Sequence, residues 1–281
     1  MCNASREAIS TCFQGHIIHN SSCLFMQIVT LTTDLGEQDY ALPALKGCLL
    51  QKAAPLLLTD VTHQVKHFDI VQAAFVLGNV WRHFPEGAIH VVWVNNYYAP
   101  QRDFLVIQHQ GHFFIGPDNG VFSLVLGAVP EQAYRLEYED SDEFSLRQLF
   151  AFAVAHIAGG QPLEKIGFPA GNILQRITFQ PVTGPSHIRG SVIYVDNFEN
   201  AVLNISRNLF DSVGRGRPFS LHYKRHEPLK QLCRHYSEAP VGEPLCLFNA
   251  SGYLEIAVYM GKAASLLGLV LEDMVEVVFG E

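Results

Sequence analysis

Between Gln27 and about Gly160, strand-like apolar runs alternate with longer runs of helical spacing, and this alternation limits the fold more than any other feature. Ile28–Thr33 reads as a strand and Ala41–Lys52 as a helix. Pro55–Thr59 is a second strand, and Ile70–Phe84 is a helix stopped by Pro85-Glu-Gly87. Ala88–Val94 is apolar except for His90, as a central parallel strand requires. Phe104–Gln108 and His112–Gly116 form a hairpin around Gln110-Gly111, and Ser145–Ala158 is a helix ended by Gly159-Gly160. Such a pattern implies βαβ units, so this half is expected to be an α/β domain with a largely parallel sheet.

The remainder reads differently. Ile188–Asp196, Ala201–Ile205, Pro218–Tyr223, Glu243–Asn249, Tyr253–Val258 and Met274–Phe279 are short β-rich runs separated by turn residues. One helix, Lys262–Leu267, fits among them, and the expected architecture is a small antiparallel β-barrel or sandwich. Pro169, Gly171, Pro181, Gly184 and Pro185 punctuate the join. The expected organisation is therefore residues 26–168 as one domain, 169–185 as a linker and 186–281 as the barrel. Residues 1–25 hold Cys2, Cys12 and Cys23 without clear periodicity, and they read as a disordered extension or an upstream mis-start before Met26.

Composition excludes several function classes. The formal net charge is −8 with no sustained basic run, which argues against a nucleic-acid partner; Gly214-Arg-Gly-Arg217 reads as a solvated turn. No apolar run approaches the roughly 18 to 20 residues that span a bilayer, and residues 1–25 lack the layout of a signal peptide. Cys48, Cys233 and Cys246 are scattered without CxxC spacing, so free thiols in a reducing cytoplasm are the expectation. Thirteen histidines raise the question of a metal. None falls in HExxH, His109 and His112 straddle a hairpin turn, and His63 and His67 flank a strand end without an evident carboxylate partner. No metal is expected.

Polar residues gather where strands end. The run Met26-Gln-Ile-Val-Thr-Leu-Thr-Thr-Asp34 closes on a carboxylate and turns at Gly36, and open α/β folds bind ligands beyond the carboxyl ends of their strands. Asp34 is thus a grip for a sugar diol or a cation, or else a brace for the turn, with Asp39 capping the next helix. Phe68-Asp69 follows the second strand and Asn95-Asn-Tyr-Tyr-Ala-Pro-Gln-Arg102 the third. Asp118-Asn119-Gly120 is either a site or a tight turn, and Asp196-Asn-Phe-Glu-Asn200 is either a site or a hairpin loop.

The ordered blocks Leu-Thr-Thr-Asp34-Leu-Gly, Asp60-Val-Thr-His63, Phe84-Pro-Glu-Gly87, Gly116-Pro-Asp-Asn-Gly120, Ile193-Tyr-Val-Asp196-Asn-Phe-Glu-Asn200 and Asn249-Ala-Ser-Gly-Tyr-Leu-Glu-Ile-Ala257 resemble the S-adenosylmethionine hydrolase (hydroxide adenosyltransferase) family. That family is related to the fluorinase and the chlorinase, and the likeness runs from Met26 to Glu281. It implies an α/β domain, a C-terminal β-barrel and a homotrimer whose adenosyl ligand lies between one subunit's first domain and its neighbour's barrel. It further implies that Asp34 holds the ribose hydroxyls and that Phe68 and Phe144 line the ribose and sulfonium. Asp196 would take the methionine ammonium and Asn200 would contact the nucleoside. No cofactor is implied, since S-adenosylmethionine is itself the substrate.

Departures from the pattern fall on the nucleophile's side. Hydrolases of this family carry an Asp after the third strand, an Arg seven residues later and a His in a Phe-His-Gly-Arg-Asp block. The corresponding residues are Asn95, Arg102 and, in Glu143-Phe-Ser-Leu-Arg-Gln148, Ser145. The fluorinase's halide-contacting serine aligns with Leu146, and the usual loop glycines are replaced by Tyr97 and Ala99 beside Tyr98. An amide and a hydroxyl orient a water but do not accept its proton near neutral pH. The sequence therefore presents two readings: slow hydrolysis with Asn95, Arg102 and Ser145 ordering a water, or an adenosyl-ligand binder without turnover. A different nucleophile is a narrower variant of the first.

Overall fold

The computed structural model describes residues 26–53, 55–97, 103–137 and 143–280, with the side chains of Glu143 and Phe144 left aside. Chain order in the first half is β1 (Gln27–Thr33), α1 (Ala41–Lys52), β2 (Leu56–Thr62), α2 (Ile70–Val80), β3 (Ile89–Trp93), β4 (Phe104–His109), β5 (His112–Pro117), α3 (Val121–Leu126), β6 (Gln132–Leu136), α4 (Glu143–Ala158) and β7 (Gly167–Pro169). The expected second helix ends sooner than its apolar spacing suggests, finishing in a 3₁₀ turn at Trp81–His83.

These strands form one seven-stranded sheet in the order β2-β1-β3-β5-β4-β6-β7. Strands β2, β1, β3 and β5 are parallel, whereas β4, β6 and β7 pair antiparallel. The sheet is therefore mixed rather than largely parallel. The reason is local: the turn at Gln110 (φ 47) and Gly111 (φ 75) is too short for a crossover, so β4 and β5 can only run in opposite directions. One face packs on α1 and α4 through Leu45, Leu49, Phe150 and Val154. The other packs on α2 and α3 through Ala73, Leu77, Phe122 and Val125. All five residues of β3 are buried, as befits its place between β1 and β5.

The second half contributes β8 (Val182–Thr183), β9 (His187–Val195), β10 (Ala201–Ser206), α5 (Arg207–Gly214), β11 (Phe219–Tyr223), β12 (Leu232–Cys233), β13 (Pro244–Phe248), β14 (Tyr253–Val258), α6 (Ala263–Leu267) and β15 (Met274–Phe279). Its sheet order is β11-β15-β9-β10-β14-β13-β12, with β8 paired to β9. Among the described residues no ladder joins β11 to β12, and β12 runs parallel to β13. The expected antiparallel barrel is thus an open, curled half-barrel, and register shifts in β10 supply part of the bend. Helix α5 stands where only a turn was expected. Ser206 Oγ caps it by accepting from Leu209 N (3.2 Å), and Phe210 anchors it against Phe219, Phe248 and Phe279. Arg217, expected in a solvated turn, donates to the carbonyls of Val213 and Pro185. Among the described residues no helix is long and apolar enough to cross a membrane, and Cys48, Cys233 and Cys246 are free.

His90 has a structural task at the amino end of the sheet. Its Nδ1 lies 2.8 Å from Thr30 Oγ1, and its Nε2 lies 3.2 Å from His112 Nδ1. Burial, reinforced by the neighbouring His112, pulls its pKa from 6.5 to about 3; burial also lowers His112, with Glu86 opposing and Arg82 assisting. The unfolded chain protonates His90 near its ordinary pKa of 6.5, but the folded chain resists protonation down to about 3. This contribution is complete above pH 6.5 and is lost as pH falls through that window. Urea titrations from pH ~7 to ~4.5 should show stability falling by up to about 1.4 kcal/mol per unit for each such imidazole. His90→Gln should make that acid slope shallower, and an unchanged slope would contradict the assignment.

Candidate active site

Because β1, β2 and β3 are parallel, the loops after them open on the same edge of the sheet. Asp34 follows β1, and its backbone N–H donates to Trp93 O at the end of β3 (3.1 Å). The half-buried carboxylate then gathers the other two loops: Oδ2 accepts from Phe68 N (3.1 Å) and from Asn95 N (3.2 Å). Both donors have left-handed backbones, with φ 67 at Phe68 and φ 52 at Asn95. A non-glycine residue held there costs on the order of 1 kcal/mol or more, and such positions cluster at ligand sites. His67 Nδ1 lies 3.0 Å from Asp34 O, and Phe68 is 68% exposed. Asp34, Phe68 and Asn95 are thereby brought together.

Neighbouring acids have plainer tasks. Asp39 Oδ1 accepts from Ala41 N at the start of α1, and Asp69 caps α2 through Val71 N and Gln72 N. Asp118 ties Arg135 to Leu174 N. Asn119 does more than make a turn: its Nδ2 donates to Val94 O (2.9 Å) and Asn95 O (3.2 Å), so it holds the loop that delivers Asn95. The adjacent Gly120 (φ 95) makes the turn.

Arg102 lies outside the described residues, as do Tyr98 and Ala99. Phe144 and Ser145 begin α4, and Ser145 is half-buried. Leu146 is completely buried in the core against α1 and β3, so it faces no anion site.

The second group sits on the curled sheet. Asp196 Oδ1 accepts from Phe198 N (2.9 Å) and Asn200 N (2.8 Å), and Oδ2 accepts from Asn200 Nδ2 (3.0 Å). Sequence reasoning passed over the neighbours of this pair. Glu255 is buried and accepts from Tyr236 Oη (2.8 Å) and Asn249 Nδ2 (3.1 Å). Burial raises the Glu255 pKa, aided by nearby Asp196 and opposed by those two hydrogen bonds. A cleft of about 340 Å³ separates α2 from this sheet, lined by Gln64, Val65, Gln72, Val76, Tyr194 and Asp196 among others. Phe75 stacks on Tyr194 at 4.6 Å and joins the two halves. Among the described residues no hydrogen bond links the Asp34 group to the Asp196 group. Nor does any trio of His, Cys, Asp or Glu there form a metal-binding cluster.

A polar site at the ends of parallel strands, followed by a curled β domain, defines a class, and comparison with known proteins specifies it. Residues 29–167 match the SAM hydroxide adenosyltransferase N-terminal domain, and residues 190–276 match its C-terminal domain. The chain belongs to the SAM hydroxide adenosyltransferase family. The (R)-S-adenosyl-L-methionine hydrolase of Salinispora arenicola is 31% identical, covering 90% of this chain and 98% of its own. The enzyme of that name from Methanocaldococcus jannaschii is 25% identical over 90% and 97%. A conserved protein of Thermotoga maritima superposes with a TM-score of 0.80 at 26% identity, covering 90% of this chain and 100% of its own.

If Asn119 holds the loop carrying Asn95, removing its carboxamide leaves two carbonyls without that donor. Asn119→Ala should lower the unfolding free energy in urea by about 1–3 kcal/mol. A change below about 0.5 kcal/mol would remove Asn119 from this role.

Proposed function

We propose that this chain hydrolyses S-adenosylmethionine at ribose C5′, releasing adenosine and methionine. The oxygen of an ordered water attacks C5′ in line, the C5′–S bond breaks, and sulfur keeps the bonding pair and leaves as a neutral thioether. The water's surplus proton passes to solvent. The sulfonium is already a good leaving group, so the protein's task is to align the partners and exclude competing water.

The carrying observation is the Asp34 carboxylate, fixed by the backbone N–H groups of two residues held in left-handed conformation. An ionised carboxylate offers about four acceptor positions, two on each oxygen. With Oδ2 occupied by the amides, Oδ1 is the oxygen that meets the ribose 2′- and 3′-hydroxyls. Phe68 and Phe144 flank the sugar, Asp196 receives the methionine ammonium and Asn200 the nucleoside. Asn95, Arg102 and Ser145 order the water. In this reading residues 26–168 form the nucleoside-binding domain, and the curled domain of an adjoining subunit of a homotrimer closes the site.

Turnover is slow by design of the residues present. Replacing a positioned acid or base typically costs about 10²- to 10⁴-fold, and Asn95 and Ser145 supply neither. That same substitution motivates a second reading, a nucleoside binder without chemistry. Chromatography of a reaction containing S-adenosylmethionine separates them. Hydrolysis predicts adenosine and methionine in equal amounts, reduced at least about 100-fold in Asp34→Ala. Saturable binding without product would overturn hydrolysis in favour of the binder. In a further test, Asn95→Asp combined with Ser145→His should raise the rate, and an unchanged rate in the folded double variant would contradict the placement of those residues.

A further inference from the structure

The turn bearing Asp34 hangs on a chain of polar contacts reaching back to Lys46. Lys46 Nζ lies 2.7 Å from Asp60 Oδ2, and Asp60 Oδ1 meets His63 Nε2 in an angled contact of 3.0 Å. On the far side of the ring, His63 Nδ1 is 2.9 Å from Thr33 Oγ1. Leu35 N–H donates to that same hydroxyl at 3.4 Å. Thr33 is completely buried and His63 is 2% exposed.

Directions follow from what each group can do. Burial disfavours the charged form of Asp60, but hydrogen bonds from Lys46 and His63 outweigh it and hold the pKa below the usual range. An ionised carboxylate accepts only, so an N–H on Nε2 is the partner that suits it, and in that tautomer Nδ1 is an acceptor. Thr33 then donates to Nδ1, which turns a hydroxyl lone pair toward Leu35 N–H. The side chain before Asp34 and the amide after it are locked by one imidazole. The backbone is tied at the same place, Gly36 N to His63 O (2.8 Å) and Val65 N to Thr33 O (3.3 Å). The β1–β2 register slips here: Leu31 opposes Asp60 but Thr32 opposes Thr62, a bulge that re-aims the residues beside it.

We propose that His63 and Thr33, oriented by Asp60, are positioning residues that set the angle at which Asp34 presents its free oxygen to the ligand. The proposal rests on the reading of Asp34 as the grip for the ribose hydroxyls. A brace that only stabilised the β1–β2 pair would affect stability and leave the selectivity for those hydroxyls alone. Positioning ties the chain to selectivity.

Calorimetric titration of the full chain with adenosine and with 2′-deoxyadenosine makes the distinction without needing turnover. The unmodified protein should prefer adenosine by about tenfold or more, the equivalent of one well-aimed hydrogen bond of about 1.4 kcal/mol. Thr33→Val removes the hydroxyl at nearly constant shape and should reduce that preference to about threefold or less. Thr33→Ser keeps the hydroxyl and should restore it. His63→Gln, which withdraws the acceptor from Thr33 while still reaching Asp60, provides an independent variant and should lose selectivity likewise. Full preference in folded Thr33→Val or His63→Gln, even with a lowered melting temperature, would overturn the positioning role and leave a stabilising brace. Failure of the unmodified protein to bind either nucleoside would overturn the functional reading and this inference with it.

Discussion

A single carboxylate oxygen collecting amides from two separate loops is the interaction on which the candidate site depends. The loops after β2 and β3 belong to elements far apart in sequence, and each must adopt a left-handed turn at a non-glycine residue to aim its N–H at Asp34. Hydrogen bonds to a charged acceptor are worth about 1.5–3 kcal/mol, enough to offset backbone strain of similar size. The parallel order of β2, β1 and β3 makes the convergence possible, and the buried core on either face makes it rigid. Asn119 and the His63 chain hold the same loops from outside.

This arrangement separates recognition from chemistry. Under the proposed function, recognition falls to groups whose geometry is over-determined, namely Asp34 in the α/β domain and the Asp196–Asn200 pair on the curled sheet. In the same proposal, chemistry falls to the segment where Asn95 and Ser145 stand in place of the acid and base that the family resemblance implies. A sulfonium leaving group tolerates such a loss better than an amide or ester would, because it departs neutral and needs no proton. Binding energy and alignment then carry most of the rate.

Much of the α/β half is legible in the sequence, since alternating apolar runs and a carboxylate at a strand end are local signals. The mixed sheet was legible too, had the two-residue turn at Gln110-Gly111 been carried through to strand direction. Other features were hidden for physical reasons. Helix α5 presents only Leu209, Phe210 and Val213 to the core among polar neighbours, a stripe too brief to stand out from a turn. Whether the second sheet closes depends on pairing between distant strands, which no local spacing encodes. No carboxylate partner for His63 is evident in the sequence, and on a regular strand residues three apart face opposite sides. The bulge in β2 removes that alternation and brings Asp60 to the ring at 3.0 Å.

The central claim is the orientation of one side chain toward one sugar. A crystal structure with S-adenosylmethionine or adenosine bound tests it most directly. The account predicts both ribose hydroxyls within hydrogen-bond distance of Asp34 Oδ1, with Oδ2 still on the amides of Phe68 and Asn95. A ribose turned away from this carboxylate, or a ligand seated elsewhere with the Asp34 group unchanged, would contradict it.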